Sequence, residues 1–217
     1  MRTVMITGAS GGLGVPLASE FGARGYDLVL HHNKSELPCA DSLFTVRGDL
    51  KSSDTIWELA EFVFRDGLDV LVNNAGIYAA GQFDSLSSSE IRDVIEVNLI
   101  APMLLTRLVW KALKQNSGIV VNINSLAGLN GSNGETAYCA SKHGLAGFSK
   151  ALQFDGTRDG VRVLDVFVGA MKTPMTAART GQENFIDPVD AARTIVGLCD
   201  SRNSLRITEI TLNRRNY

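Results

Sequence analysis

No apolar run in this 217-residue chain approaches the roughly 18–20 residues that a helix needs to cross a bilayer. No basic segment leading into an apolar stretch precedes the first strand-like run. Neither membrane insertion nor secretion is expected, and the chain reads as soluble and cytoplasmic. Charge of one sign is also lacking: 21 Lys and Arg stand against 23 Asp and Glu, for a net charge of −2. That leaves no electrostatic footprint for nucleic acid or an acidic membrane, so small soluble partners are expected. Cysteine is scarce. Cys39, Cys139 and Cys199 are odd in number, widely spaced and without metal-ligand pairing, which argues against a disulfide framework or a metal site and for free, buried thiols. With no internal repeat and no linker, residues 1–217 are expected to form one domain with a sizeable core.

What is present alternates. Thr3–Thr7 is a short β-branched run, followed at once by Gly8-Ala9-Ser10-Gly11-Gly12-Leu13-Gly14 and then by Val15, Leu17, Ala18 and Phe21 at helical spacing. A strand, a glycine turn and a helix in that order suit a pyrophosphate. The glycines let the backbone approach the anion, and the helix start offers unpaired N–H groups and its positive dipole end. Leu28–Leu30, Leu43–Val46, Leu68–Val72, Gly118–Ser125, Val161–Val168 and Ile207–Leu212 read as further strands. Helical patterns separate most of them, as a parallel sheet covered on both faces demands. Ser87 and Glu90 form a capping-box pair ahead of one long helix through Leu113, kinked at Pro102. Asn98 falls inside that helix, a poor place for asparagine unless its amide is partnered. Asp187-Pro188 opens the last helix.

The chemistry concentrates in Tyr138-Cys139-Ala140-Ser141-Lys142 and in Ser125 upstream of it. On a helix, the four-residue step stacks phenol and ammonium on one face. Free tyrosine and lysine titrate near pH ~10, and a cation within roughly 4–6 Å favours the phenolate, drawing the tyrosine toward the working range. Ser125 can hold a carbonyl or alcohol oxygen against Tyr138. After Tyr138, the small residues Ala140, Gly144, Gly147 and Ala151 adjoin bulky Leu145, Phe148 and Leu152, which predicts a largely buried helix.

Thr7-Gly8-x-x-x-Gly12-x-Gly14, Asn73-Asn74-Ala75-Gly76, Asn98, Ser125 and Tyr138-x-x-x-Lys142 stand in the order and separations of the short-chain dehydrogenase/reductase family, which the chain resembles over nearly its whole length. The resemblance implies an α/β fold, a Rossmann-type doubly wound parallel sheet of about seven strands with helices on both faces. It also implies an NAD(P)-dependent oxidoreductase acting on CH–OH and C=O groups. Tyr138 would be the general acid, Ser125 would orient the carbonyl, and Lys142 would lower the tyrosine pKa while holding the nicotinamide ribose. Asn98 would position a water behind Lys142. Gly8, Ser10, Gly11, Gly12, Leu13 and Gly14 would line the pyrophosphate, with Asp49 and Leu50 at the adenine. Asn74, Ala75 and Gly76 would lie on the adenosine and ribose side, and Gly169, Met171 and Thr173 along the nicotinamide.

His31-His32-Asn33-Lys34 follows the second strand, where an acidic residue would hold the adenosine ribose hydroxyls; none is present, and arginine is missing too. The two histidines read equally as a polar loop or as phosphate contacts. NADP(H) is therefore expected over NAD(H), with His32, Asn33 and Lys34 near the ribose. The expected substrate is a ketone or secondary alcohol, foremost a 3-oxoacyl thioester. A small diketone, quinone or pteridine is the alternative, and a catalytically silent dinucleotide sensor is opposed by the presence of Tyr138, Lys142 and Ser125. Tyr78, Leu126, Leu129, Met171, Met175 and Phe185 are candidates for the cleft wall. The segment from Thr173 to Asp187 is short for a lid, and Val168 stands where many relatives have proline. Subunit pairing through Ile91–Gln115 and Ala140–Phe154 would give a homodimer or homotetramer.

Overall fold

The computed structural model describes residues 2–37, 42–63, 67–200 and 205–215; Cys39 lies outside them. The elements run β1 (Arg2–Ile6), α1 (Gly14–Ala23), β2 (Tyr26–His32), β3 (Phe44–Arg47), α2 (Ser53–Phe62), β4 (Val70–Asn73), α3 (Ser88–Ile95), α4 (Ala101–Asn116), β5 (Ile119–Ser125), α5 (Thr136–Asp159), β6 (Arg162–Val168), α6 (Pro188–Asp200) and β7 (Glu209–Leu212). Among the described residues, seven strands pair in the order β3-β2-β1-β4-β5-β6-β7, all parallel. This is the doubly wound, Rossmann-type sheet. Its strand order reverses between β1 and β4, so the crevice at their carboxyl ends is where ligands of such sheets bind.

Alternate residues of each strand face opposite layers. Val4, Ile6, Leu28, Leu30, Val70, Val72, Val121 and Leu164 pack with Leu17, Phe21, Ile195 and Val196 of α1 and α6. Met5, Val29, Leu71, Val120 and Val163 pack on the other face with Ile56 and Leu59 of α2 and Leu105 and Val109 of α4. Both faces are covered, which is why the strands read as nearly unbroken apolar runs. No described helix is long and apolar enough to cross a membrane.

Three expectations need correction. The second strand does not end at Leu30: it continues through His31 and His32, both buried, because hydrogen bonds to neighbouring backbone satisfy their rings. The irregularity in the long helix lies just before Pro102 rather than at it. The helix runs as α3, a π turn over Glu96–Ile100, and α4, with Pro102 the second residue of α4. The Ser87–Glu90 capping box does form, and Asp187 does cap α6 by accepting from the Val189 N–H at 2.8 Å. Finally, the small-residue stripe of α5 is not buried within the chain. Ala140, Gly147 and Ala151 are exposed; Gly144 alone of the four is pressed against a neighbour, where an added Cβ would lie 2.7 Å from Leu99.

Candidate active site

The glycine turn is held from three sides. Gly8 adopts a left-handed φ of 65°, and a Cβ there would lie 2.8 Å from the Cα of Ala75, so only glycine fits. The Asn74 side-chain amide donates to the carbonyls of Thr7 (2.9 Å) and Gly8 (3.0 Å). The Thr7 hydroxyl accepts from the N–H groups of Asn74 (3.1 Å) and Ala75 (3.0 Å). From β2, His31 Nδ1 accepts from the Gly8 N–H at 3.1 Å, which fixes the proton on Nε2 facing the Gly48 carbonyl at 3.1 Å. Burial lowers the His31 pKa, so the ring is a neutral strut. The sequence shows Thr7 in the motif and His31 after the second strand, but not that both brace the turn, which depends on tertiary packing.

A Cβ on Gly14 would stand 2.2 Å from the Gly8 carbonyl oxygen, and one on Gly12 would overlap Thr173. The backbone from Gly8 to Gly14, with Ser10, Gly11 and Leu13 between, is thus bare where it meets the start of α1 and its first-turn donors. This cradle fits a dinucleotide pyrophosphate.

Beside it the catalytic candidates converge. Strand β5 delivers Ser125 to the carboxyl edge, where its hydroxyl accepts from the Ala127 N–H at 3.1 Å and lies close enough to the Tyr138 phenol to lower its pKa. Tyr138 and Lys142 share one face of α5, with the ammonium 5.8 Å from the ring centroid. Lys142 is buried, and its ammonium donates to the Ile123 carbonyl at 2.8 Å. Burial lowers its pKa to about 8, with the buried Asp165 carboxylate opposing. Gly76 lies alongside: a Cβ there would be 3.4 Å from Asn98 Oδ1 and 4.0 Å from the Lys142 nitrogen. Asn98 Oδ1 accepts from the Ile77 N–H (2.8 Å), and its amide donates to the Ile77 carbonyl (2.9 Å) and the Ser141 hydroxyl (3.1 Å). That is the partner set a mid-helix asparagine needs, and the π turn is what points it there. Burial pushes the Tyr138 phenol up, with the Ser125 hydroxyl pulling the other way. The cation that lowers it is Arg179 rather than the Lys142 expected from the sequence, and desolvation outweighs that pull.

The model of the family described as short chain dehydrogenase matches residues 2–184. The chain is a short-chain dehydrogenase/reductase. This dehydrogenase/reductase is 33% identical over 205 residues to an acetoacetyl-CoA reductase of Acinetobacter sp., covering 88% of this chain and 82% of that protein. It is 33% identical over 185 residues to a 3-oxoacyl-acyl-carrier-protein reductase of Rickettsia bellii, covering 81% and 75%. Its fold matches an alcohol dehydrogenase of Thermococcus sibiricus, solved with 5-hydroxy-NADP, at a TM-score of 0.89 and 24% identity over 100% and 97% of the two chains. A short-chain dehydrogenase of Streptomyces avermitilis matches with a TM-score of 0.85 at 26% identity, over 97% and 87%. The enzyme is thus an NAD(P)-dependent oxidoreductase acting on CH–OH and C=O groups.

The remaining candidates of the dehydrogenase/reductase fall along the same edge. Asp49 caps its own loop by accepting from the Lys51 N–H at 2.9 Å, and Leu50 is buried in the core beneath it. The Gly169 N–H donates to the Leu212 carbonyl at 2.8 Å, Met171 bridges to Ile186, and Thr173 begins the turn that lies against Gly12. His32 is buried with Nδ1 2.9 Å from the Ser35 carbonyl oxygen, while Asn33 and Lys34 are exposed. Of the cleft candidates, Phe185 is buried with the Arg214 guanidinium 5.9 Å from its ring. Tyr78 packs edge-on against Tyr138, ring centroids 5.2 Å apart.

An arginine does stand beside the end of β2, on the neighbouring strand. Strand β3 pairs His32 with Arg47, an exposed arginine whose guanidinium lies 3.4 Å from Glu36. Its position two residues before Asp49-Leu50 was legible, but its place beside His32 depends on the β2–β3 register. A second missed feature is Asp165. A lone carboxylate within an apolar strand is a visible signal, and here it is buried, accepts from Asn124 Nδ2 at 3.1 Å, and has its pKa raised to about 6 by burial. Asn124 Oδ1 in turn accepts from the Ser125 N–H at 2.8 Å, which ties Ser125 to the base of the site.

Proposed function

We propose that this enzyme is an NADPH-preferring ketoreductase, a single dinucleotide-binding domain acting foremost on 3-oxoacyl thioesters. The observation that carries this is the convergence of Ser125, Tyr138 and Lys142 beside the glycine cradle, with the Lys142 ammonium 5.8 Å from the centre of the phenol ring. The bound nicotinamide supplies the hydride. Ser125 holds the carbonyl oxygen, and Tyr138 gives that oxygen its proton as negative charge develops there. The phenolate left behind is stabilised by Ser125 and the Lys142 ammonium. A phenol whose pKa is raised by burial is protonated at neutral pH and ready to donate, and its strength as an acid then depends on how well Ser125 and Lys142 stabilise the phenolate. The names of the acetoacetyl-CoA and 3-oxoacyl relatives support a thioester substrate. A panel of β-keto thioesters, diketones and quinones, followed at the nicotinamide absorbance, tests it. Turnover of diketones or quinones with no turnover of thioesters would overturn the substrate class.

The coenzyme preference rests on the absence of a carboxylate in His31–Lys34 and on two cations at that edge, Lys34 and Arg47. A hydrogen bond to a charged group contributes about 1.5–3 kcal/mol net, or roughly ten- to a hundredfold in kcat/KM for NADPH over NADH. Glu36 competes for Arg47, so the lower end is expected. Lys34→Glu and Arg47→Glu should each reduce that ratio, most at low salt, with a parallel loss of NADPH affinity in fluorescence titration. A parent ratio at or below one removes the assignment. Ratios unchanged in both variants remove the two side chains from it.

A homodimer formed through α4 and α5 completes the proposal. The exposed Met103, Leu104 and Phe154, with Ala140, Gly147 and Ala151, leave that outer surface apolar and closely approachable. Sedimentation should give at least twice the chain mass, falling to one chain mass in Phe154→Glu. A monomeric parent would refute the pairing.

A further inference from the structure

The segment from Thr173 to Asp187 is tied to the catalytic helix by a cluster that the chemistry above does not use. Glu135 stands at the start of α5, three residues before Tyr138, and is 8% exposed. Its Oε1 accepts from the Tyr78 hydroxyl at 2.9 Å and from the Arg179 guanidinium at 2.6 Å. Arg179 also donates to the Tyr78 hydroxyl at 3.2 Å and lies 5.4 Å from the centre of its ring. The opposite side of the cluster is Tyr138, against which the Tyr78 ring is packed. Arg179 belongs to the mostly exposed segment, whereas Glu135 and Tyr78 belong to the body of the site. The docking of the segment therefore decides whether the Glu135 carboxylate has a cation.

We propose that Arg179 is a positioning residue that couples the docking of the 173–187 segment to the acidity of Tyr138. With the segment docked, the guanidinium neutralises Glu135 and, across the Tyr78 ring, favours the phenolate. With it undocked, Glu135 remains as an unpaired buried carboxylate beside the phenol, and Tyr138 holds its proton more tightly. The acid is then strongest when the segment has closed over the cleft. The groups facing Tyr138 are Ser125 from β5, Glu135 and Lys142 on α5, Tyr78 from the loop after β4, and Arg179. Of these cations and acids, Glu135 raises the phenol pKa and Arg179 lowers it. This inference rests on Tyr138 being the proton donor.

The test reads the phenol directly. Tyrosinate absorbance after a rapid pH jump, taken before alkaline unfolding, is compared between each variant and its Tyr138→Phe counterpart, so the difference belongs to Tyr138. Arg179→Gln should move that titration to higher pH, Glu135→Gln should move it to lower pH, and the double variant should return it toward the parent. In turnover, Arg179→Gln should lower kcat at neutral pH by about three- to tenfold, while cofactor Kd stays within about twofold. Arg179 is on the surface, so its variant keeps the test sound even if Glu135→Gln fails to fold. A Tyr138 titration unmoved in Arg179→Gln, or moved to lower pH, overturns the coupling. Because the titration needs no substrate, a shift in the expected direction upholds the coupling even if no carbonyl compound is turned over, and the missing turnover then counts against the ketoreductase reading alone.

Discussion

Tyr138→Phe is expected to lower carbonyl turnover by at least about 10²- to 10⁴-fold, the contribution of a positioned general acid, while dinucleotide affinity changes little. The separation follows from the geometry. Phenylalanine keeps the ring packed against Tyr78 at a centroid distance of 5.2 Å and removes only the hydroxyl that meets Ser125. The cradle from Gly8 to Gly14 is held by Asn74, Ala75, Thr7 and His31, none of which depends on that hydroxyl. Single-turnover hydride transfer beside a fluorescence titration of the cofactor makes the measurement. A variant retaining half its activity would take Tyr138 out of the mechanism. One that lost cofactor binding in proportion would show that the phenol acts by shaping the cradle.

Lys142→Met should damage both turnover and cofactor affinity, yet leave the protein as stable or more so. The ammonium sits between the ring of Tyr138 and the backbone of Gly76, so in the proposed mechanism one charge would serve the phenolate and the ribose side together. Its folded pKa of about 8 lies below the ordinary lysine value of 10.5. Between those values the unfolded chain binds more protons than the folded one, so this group makes stability rise with pH from about 8 to 10.5. Below pH 8 the penalty is fully present, on the order of 3 kcal/mol. Methionine fills nearly the same volume without it, although it deprives Asp165 of its cation and so returns part of the gain. The expected signature is a Tm at pH 7 held or raised, alongside a large loss in kcat/KM and weakened cofactor binding. A Tm lowered by several degrees would mean that the hydrogen bond to Ile123 outweighs the desolvation. Unchanged cofactor affinity would remove Lys142 from the ribose.

Most of the fold was legible because its signals are local. The strand, glycine turn and helix at the start, the Ser87–Glu90 box and the Asp187-Pro188 cap each lie within a few residues and depend on backbone chemistry. The strands showed as apolar runs because both faces of the sheet are covered. What escaped depends on register or on distant pairing. His31 and His32 read equally as a polar loop or as phosphate contacts because nothing in their neighbours shows that Gly8 and Gly48 would satisfy one ring and Ser35 meet the other. Arg47 comes to stand beside His32 through a strand pairing. The Tyr78–Glu135–Arg179 cluster joins three segments far apart in the chain, and no periodicity carries that information.

The π turn at Glu96–Ile100 also makes the length of this stretch a structural parameter. An i→i+5 turn holds one residue more than an α-helical turn, and one residue is about 100° of rotation about the axis. Deleting one residue here would close the wide turn into regular winding and leave α3 and α4 facing as they do, since the turn has already absorbed the extra residue. Ala101, Leu105 and Val109 would stay buried against α2 and the sheet. Asn98 would lose its aim at Ile77 and Ser141. An added residue is the harsher change: with no second wide turn to absorb it, regular winding would carry α4 round by that angle against α3.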